Sequence, residues 1–145
     1  VFDEATGQKY IPWVIEPSGG VDRALLALAL DAWRFSDKGR AEGGEGEITL
    51  SIDRRLAAFD AAVLPLIKKE PLVKVAKELV QKLRQEGQHI FYDESGSIGR
   101  RYRRQDEIGT PICYTVDFES VEGKDKGTVT SRDRDTMSQK RVLLT

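Results

Sequence analysis

The sequence predicts an α/β fold, and three observations carry that prediction. From Ala61 onward, short apolar runs alternate with helical stretches in the order strand, helix, strand, helix, strand, and strands joined through helices pair in parallel. Pro71 stands in the first turn of one such helix, where its missing N–H is tolerated, and Gly87 stands where that helix should stop. Before this block, Ser36 to Glu47, SDKGRAEGGEGE, is rich in glycine and charge and has no apolar anchor. It reads as a flexible linker or loop. Two units are therefore expected, residues 1–36 and 53–145, with a linker at 37–52.

In the first unit, Ile11 to Ile15 reads as a strand, broken by Pro17, Gly19 and Gly20. A helix is expected from Val21 to Trp33. Val21, Leu25, Leu28 and Ala32 share one face, and Ala24, Leu26, Ala27, Ala29 and Leu30 fill most of the rest. A helix apolar nearly all round needs cover nearly all round. The neighbouring residues hold nothing to supply it, so the cover is expected in a larger domain before Val1.

In the second unit, Ala61 to Ile67, AAVLPLI, fits a buried strand. The helix opened by Pro71 buries a stripe of Leu72, Val75, Ala76, Leu79 and Leu83. Gln88 to Tyr92 is a second strand, roughly Ile98 to Ile108 a second helix, and Ile112 to Phe118 a third strand. Thr128 to Arg132 and Lys140 to Leu144 read as two further strands separated by the polar DRDTMSQ.

The formal net charge is −1, with 39% hydrophobic and 32% charged residues, so a nucleic-acid role needs a local basic patch rather than a basic chain. The lone Cys113 in PICYTV reads as a small core residue, and His89 is the one histidine, which disfavours metal and Cys–His chemistry. No apolar run approaches the roughly 20 residues of a membrane span, and no signal-peptide pattern is present.

The basic patch lies in ESGSIGRRYRRQDEIGTP, Glu94 to Pro111. Arg100, Arg101, Arg103 and Arg104 crowd the start of the expected helix, and Asp106 and Glu107 load its end. A helix dipole favours the opposite order, and Arg103 paired with Glu107 has the weaker orientation. An anion docked at that end would meet open backbone N–H groups and guanidinium donors; a solvated basic face is the plain alternative. Phe118, in VDFES, ends a strand among polar residues and could stack a splayed base, or could cap the core. In SRDRDTM, Arg132 and Arg134 have donors suited to unpaired cytosine, and Asp133 or Asp135 a carboxylate for its amino group; an ordinary charged hairpin fits as well. In VIEPSGGVDRALL, glycines permit close approach of a ligand, Arg23 could stack a base or grip a phosphate, and Glu16 could bind an ammonium group. A plain strand–helix turn would look the same.

Taken together, these segments resemble a known family. YIPWVIEPSGGVDRALLAL is similar to motif 3 of class II aminoacyl-tRNA synthetases in its glycyl-tRNA synthetase variant. DESGSIGRRYRRQDEIGTPICYTVDF and TVTSRDRDTM resemble the anticodon-binding domain of the homodimeric glycyl type. The resemblance implies a three-layer α/β/α domain with a five-stranded mixed sheet, preceded by a strand–helix remnant of the class II catalytic domain. It implies that Arg23 packs on the adenine of ATP and that Glu16 and Ser18 line the glycine pocket. It implies that Arg100, Arg101, Arg103, Phe118, Arg132 and Arg134 meet the anticodon of tRNA(Gly), whose last two bases are cytosines. It further implies ATP with Mg2+ as cofactor, a homodimer, a cytoplasmic location and no membrane. The sequence has RRLAAFDAAVLPL at Arg54 to Leu66 where the family has Pro-x-Leu-Ala-Pro-x-Lys. Motifs 1 and 2 are absent, so this chain alone is not expected to activate glycine. The reading is a C-terminal part of a glycine–tRNA ligase, with a non-catalytic nucleic-acid-binding module of the same fold as the alternative. An anion-binding α/β domain unrelated to RNA is a third reading, against which the Phe118 and Arg134 features count. Glu16, Ser18 and Arg23 favour the ligase, because a pure binding module needs no amino-acid pocket.

Overall fold

Two stretches of chain behave differently in the structure, a computed structural model that describes residues 1–40, 46–122 and 124–143. In the first, β1 (Phe2–Asp3) and β2 (Gln8–Lys9) form a small antiparallel hairpin. The strand expected at Ile11–Ile15 is not formed, and Ile11, Trp13 and Ile15 are 93%, 99% and 94% exposed. An extended segment without a ladder partner has nothing to take its amides. Helix α1 (Val21–Ala32) buries Ala32 and holds Leu25, Leu26 and Leu30 in solvent. It stops one residue short of the expected Trp33.

Trp33 instead opens β3 (Trp33–Ser36), which pairs antiparallel with β4 (Glu47–Leu50). The far end of the expected linker is therefore a strand. Its composition hid it, because β4 owes its form to a partner and to Thr49, buried at 4% exposure. Residues 41–45 of the expected linker lie outside the described residues. A 3₁₀ turn at Arg54–Leu56 follows, with the Asp53 carboxylate accepting from the Arg55 amide.

The remaining elements build one sheet. They are β5 (Ala61–Pro65), α2 (Glu70–Gln85), β6 (Ile90–Tyr92), α3 (Ile98–Ile108), β7 (Ile112–Val116), α4 (Phe118–Val121), β8 (Thr128–Asp133) and β9 (Gln139–Leu143). The order is β6-β5-β7-β8-β9, with β5 parallel to both β6 and β7 and the pairs beyond β7 antiparallel. Leu144, at the end of the last expected strand, lies outside the described residues.

Side-chain alternation sets the layers. Ala61 and Val63 join Leu72, Ala76, Leu79 and Val80 of α2 in one core. Ala62, Leu64 and Cys113 pack with Ile98 and Tyr102 of α3 on the opposite face. A central strand buried on both sides reads as a continuous apolar run, and β5 is buried throughout. The expected three-layer α/β/α arrangement with a five-stranded mixed sheet is present. Helix α3 ends at Gly109, with φ of 82°, where a Cβ would sit 3.0 Å from the Leu50 carbonyl oxygen. A glycine is required there by conformation and by closeness to β4.

Candidate nucleic-acid interface

The parallel strands end at one rim. There β5 runs into Leu66–Lys69, β6 into Asp93–Ser97, and β7 into Asp117 and Phe118. In α/β sheets the crevice beyond the carboxyl ends is the usual place for a ligand. Phe118 is not the last residue of a strand but the first of α4, and it is 50% exposed. It caps no core. The ammonium of Lys69 stands 5.6 Å from its ring centroid. Lys68 pairs with Glu94 at 2.7 Å, and Tyr92 donates to the same carboxylate at 2.6 Å. The Lys68 contact, then the Tyr92 one, holds the Glu94 carboxyl below its usual range. A hollow of about 730 Å³ lies between Leu66–Lys68 and Glu94–Ile98.

The start of α3 opens onto this rim. Ser97 makes no side-chain cap, and the first backbone bond into the helix runs from the Arg101 amide to the Ser97 carbonyl at 3.1 Å. Among the described residues the amides of Ile98, Gly99 and Arg100 have no backbone partner. Arg100 is exposed. Arg103 is exposed and pairs with Glu47 at 3.3 Å. Arg104 turns back to Asp93 and to the Ser95 carbonyl, the latter at 2.8 Å. Burial pushes Asp93 up, but bonds from Ser95 and Arg104 outweigh it and hold the carboxyl low.

Three expected RNA-facing arginines are inside instead. Arg101 is 1% exposed, and its guanidinium donates to the carbonyls of Pro65, Asp93 and Leu66, the last at 3.0 Å. Ile98, Arg101, Tyr102 and Gln105 follow the helical spacing of a sheet-facing stripe. That spacing was the available signal, obscured because half of the stripe is polar. Burial lowers the Arg101 pKa from its ordinary value. Arg132, in the β8 position opposite Cys113, faces α3. It is bidentate to Asp106 at 2.9 Å for each bond and lies 4.7 Å from the Tyr102 ring centroid. Arg134 donates to the carbonyls of Gly109 at 2.7 Å and Ile52 at 2.9 Å, and pairs with Asp135. Asp133 is occupied by Arg54 at 2.5 Å and by Thr136. Both carboxylates thus already hold an arginine, Asp135 from an exposed position. Hairpin carbonyls and helix ends need donors when buried, and these arginines supply them.

Two residues the sequence reading did not single out complete the rim. Lys69 and Arg141 both reach the Phe118 turn, Arg141 through Asp117 at 2.9 Å and Glu119 at 2.6 Å. Burial raises the Asp117 pKa, but bonds from Arg141 and Ser120 outweigh this and hold it below the usual range. Cys113 is buried, as expected, and burial pushes its thiol up to about 12.

Glu16, Ser18 and Arg23 are all exposed, on the segment before α1 and in its first turn. Among the described residues no wall closes round them, so they do not by themselves make a nucleotide or amino-acid pocket. No group of His, Cys, Asp and Glu among the described residues could hold a metal ion. No helix is long and apolar enough to cross a membrane among these residues.

Comparison with known proteins agrees with the fold and with the resemblance read from the sequence. A glycine–tRNA ligase of Bifidobacterium longum is 52% identical over 99% of this chain. One of Clostridium acetobutylicum is 51% identical over the same share. The chain spans 29% of the length of each. Among solved structures, a prolyl-tRNA synthetase of Cryptosporidium parvum complexed with L-proline and AMP superposes with a TM-score of 0.59. That match has 19% identity and covers 66% of this chain and 20% of that one. The RNA-binding domain of a threonyl-tRNA synthetase from the same organism gives 0.52 at 24% identity, over 58% of this chain and 20% of that one. Residues 60–145 match the family model described as the anticodon-binding domain, and the chain belongs to that family.

Proposed function

We propose that this chain is the part of a glycine–tRNA ligase that grips the anticodon of tRNA(Gly). The ligase as a whole uses ATP with Mg2+ to attach glycine and works in the cytoplasm as a homodimer. The observation that carries the reading is the rim at the carboxyl ends of the parallel strands, which holds both an exposed Phe118 under Lys69 and an uncapped helix start bearing Arg100. An aromatic ring takes the face of an unstacked base. Open amides and a guanidinium take its phosphate. Arg103 adds charge on the same outer helix face. Arg101, Arg132 and Arg134 contribute by fixing α3 and the β8 hairpin rather than by touching RNA. Arg23, Glu16 and Ser18 belong to the catalytic part of the same enzyme, and they need other walls to form its ATP and glycine pockets.

The test is titration of the chain with an RNA stem-loop whose anticodon ends in two cytosines, and with a fully paired RNA duplex of the same length, which splays out no base to stack. Tighter binding of the first is expected. Equal, salt-driven binding of both would reduce the rim to a general anion surface.

A further inference from the structure

We infer that Arg141 is a positioning residue for the Phe118 ring, acting across the sheet from β9. The inference rests on the reading that Phe118 stacks a base. The ring is half exposed, so core packing does not hold it. It sits on α4, a four-residue helix, far too short to be stable through its own hydrogen bonds. Its orientation must come from the residues on either side. Asp117 and Ser120 form a reciprocal cap, with the Ser120 amide 3.0 Å from the Asp117 carboxylate and the Asp117 amide 3.1 Å from the Ser120 hydroxyl. Arg141 grips the same turn from outside. It donates to Asp117 at 2.9 Å, to Glu119 at 2.6 Å and to the Ser120 hydroxyl at 3.4 Å.

Asp117 and Glu119 flank Phe118 in the chain, so one guanidinium holds both neighbours of the ring. Its Nη2 donates to both carboxylates and its Nη1 to the Ser120 hydroxyl, so the planar fork holds all three groups in one fixed geometry. The contact also offsets two carboxylates beside a surface meant for a polyanion, which would otherwise raise a local repulsion. With Lys69 approaching the ring from the β5–α2 loop, the platform is set from two directions.

The experiment is a double-mutant cycle on the chain, read by affinity for an RNA stem-loop whose anticodon ends in two cytosines, with melting curves on every variant. Phe118→Ala should weaken binding about tenfold. Arg141→Gln should weaken it about fivefold, and Arg141→Lys, which keeps the charge but has one nitrogen where the fork has two for the turn, by about twofold. In the Phe118→Ala background, Arg141→Gln should cost less than about twofold, because coupled residues are not additive. Its shift in melting temperature should be the same in both backgrounds. If Arg141→Gln leaves affinity unchanged, or costs its full factor without the ring, Arg141 does not act through Phe118 and the inference is overturned. If Phe118→Ala itself leaves affinity unchanged, the stacking reading fails and takes the inference with it.

Discussion

Asp106 on α3 receives both terminal nitrogens of Arg132 on β8 at 2.9 Å each, with the two side chains 6% and 4% exposed. The same carboxylate also accepts from Arg40, beyond β3. One acid at the end of α3 thus ties together the helix, the antiparallel half of the sheet and the segment leading from α1. The acid that looked misplaced against the helix dipole is there to meet these cations. Removing one partner of a buried ion pair typically costs about 3–5 kcal/mol, because the other charge stays buried. Asp106→Ala should therefore lower the unfolding free energy by an amount in that range, seen as a lower midpoint of denaturant unfolding. An unchanged midpoint would mean that the pair contributes little to holding the layers.

Arg100 and Arg101 are adjacent and should behave oppositely. Arg100→Ala should leave stability within about 0.5 kcal/mol, as for an ordinary surface change, and weaken binding of the two-cytosine stem-loop about tenfold. Arg101→Ala should cost at least about 2 kcal/mol, since buried carbonyls lose a charged donor, while the fraction that remains folded binds RNA normally. Thermal melts and binding titrations of both variants check this. A reversed pattern would return Arg101 to the interface and take Arg100 out of it.

Salt should separate the two kinds of contact at the rim. If Arg100 meets a phosphate, its loss should flatten the dependence of log affinity on log salt. Loss of the Phe118 ring should weaken binding by roughly 1–3 kcal/mol and leave the slope alone. Titrations between about 50 and 200 mM salt decide the matter, and a flattened slope for Phe118→Ala would rule out simple stacking.

Stability should fall in acid. Asp117 and Asp93 are both raised by burial and lowered further by bonds from Arg141 and Ser120, and from Ser95 and Arg104, ending below the ordinary 3.8. Glu47, raised by partial burial but lowered further by bonds from Arg40 and Arg103, ends below 4.5. Groups with a depressed folded pKa stabilise fully above their unfolded value and lose that contribution as pH falls through the folded one. The melting temperature should hold level from pH 7 to about 5 and drop below about pH 4. Asp117→Asn should melt lower at pH 7 and show a shallower acid limb. An acid limb as steep as the parent's would remove Asp117 from the account.

Helix α1 should open more easily than α2 in the chain standing alone. Its leucines are exposed, whereas α2 buries Leu72, Val73, Ala76, Leu79 and Val80. Amide protons of α1 should exchange faster than those of α2, because local opening is easiest where apolar burial is least. Equal protection would show that α1 has found a cover in solution.

Much of this was legible in the chain itself. Helix α3 runs from Ile98 to Ile108, over the residues expected of it. The run at Ala61 became a strand buried on both faces, and Pro71 and Gly87 bracketed α2 as caps do. Local signals suffice where conformational preference and hydrophobic period agree. They failed where a partner decides. The extended residues at Ile11–Ile15 had no strand to pair with, whereas β4 had β3. The arginines are the sharpest case. Arg100 and Arg101 are the same residue one step apart, and a helix turns by about 100° per residue. Which of them meets solvent depends on where the sheet lies, and so does the fate of Arg132, turned toward α3 by the pleat of β8. A charge pattern shows where cations are numerous. Only the packed layers decide which of them serve buried carbonyls and carboxylates, because that choice depends on groups distant in sequence that fold brings within hydrogen-bonding reach.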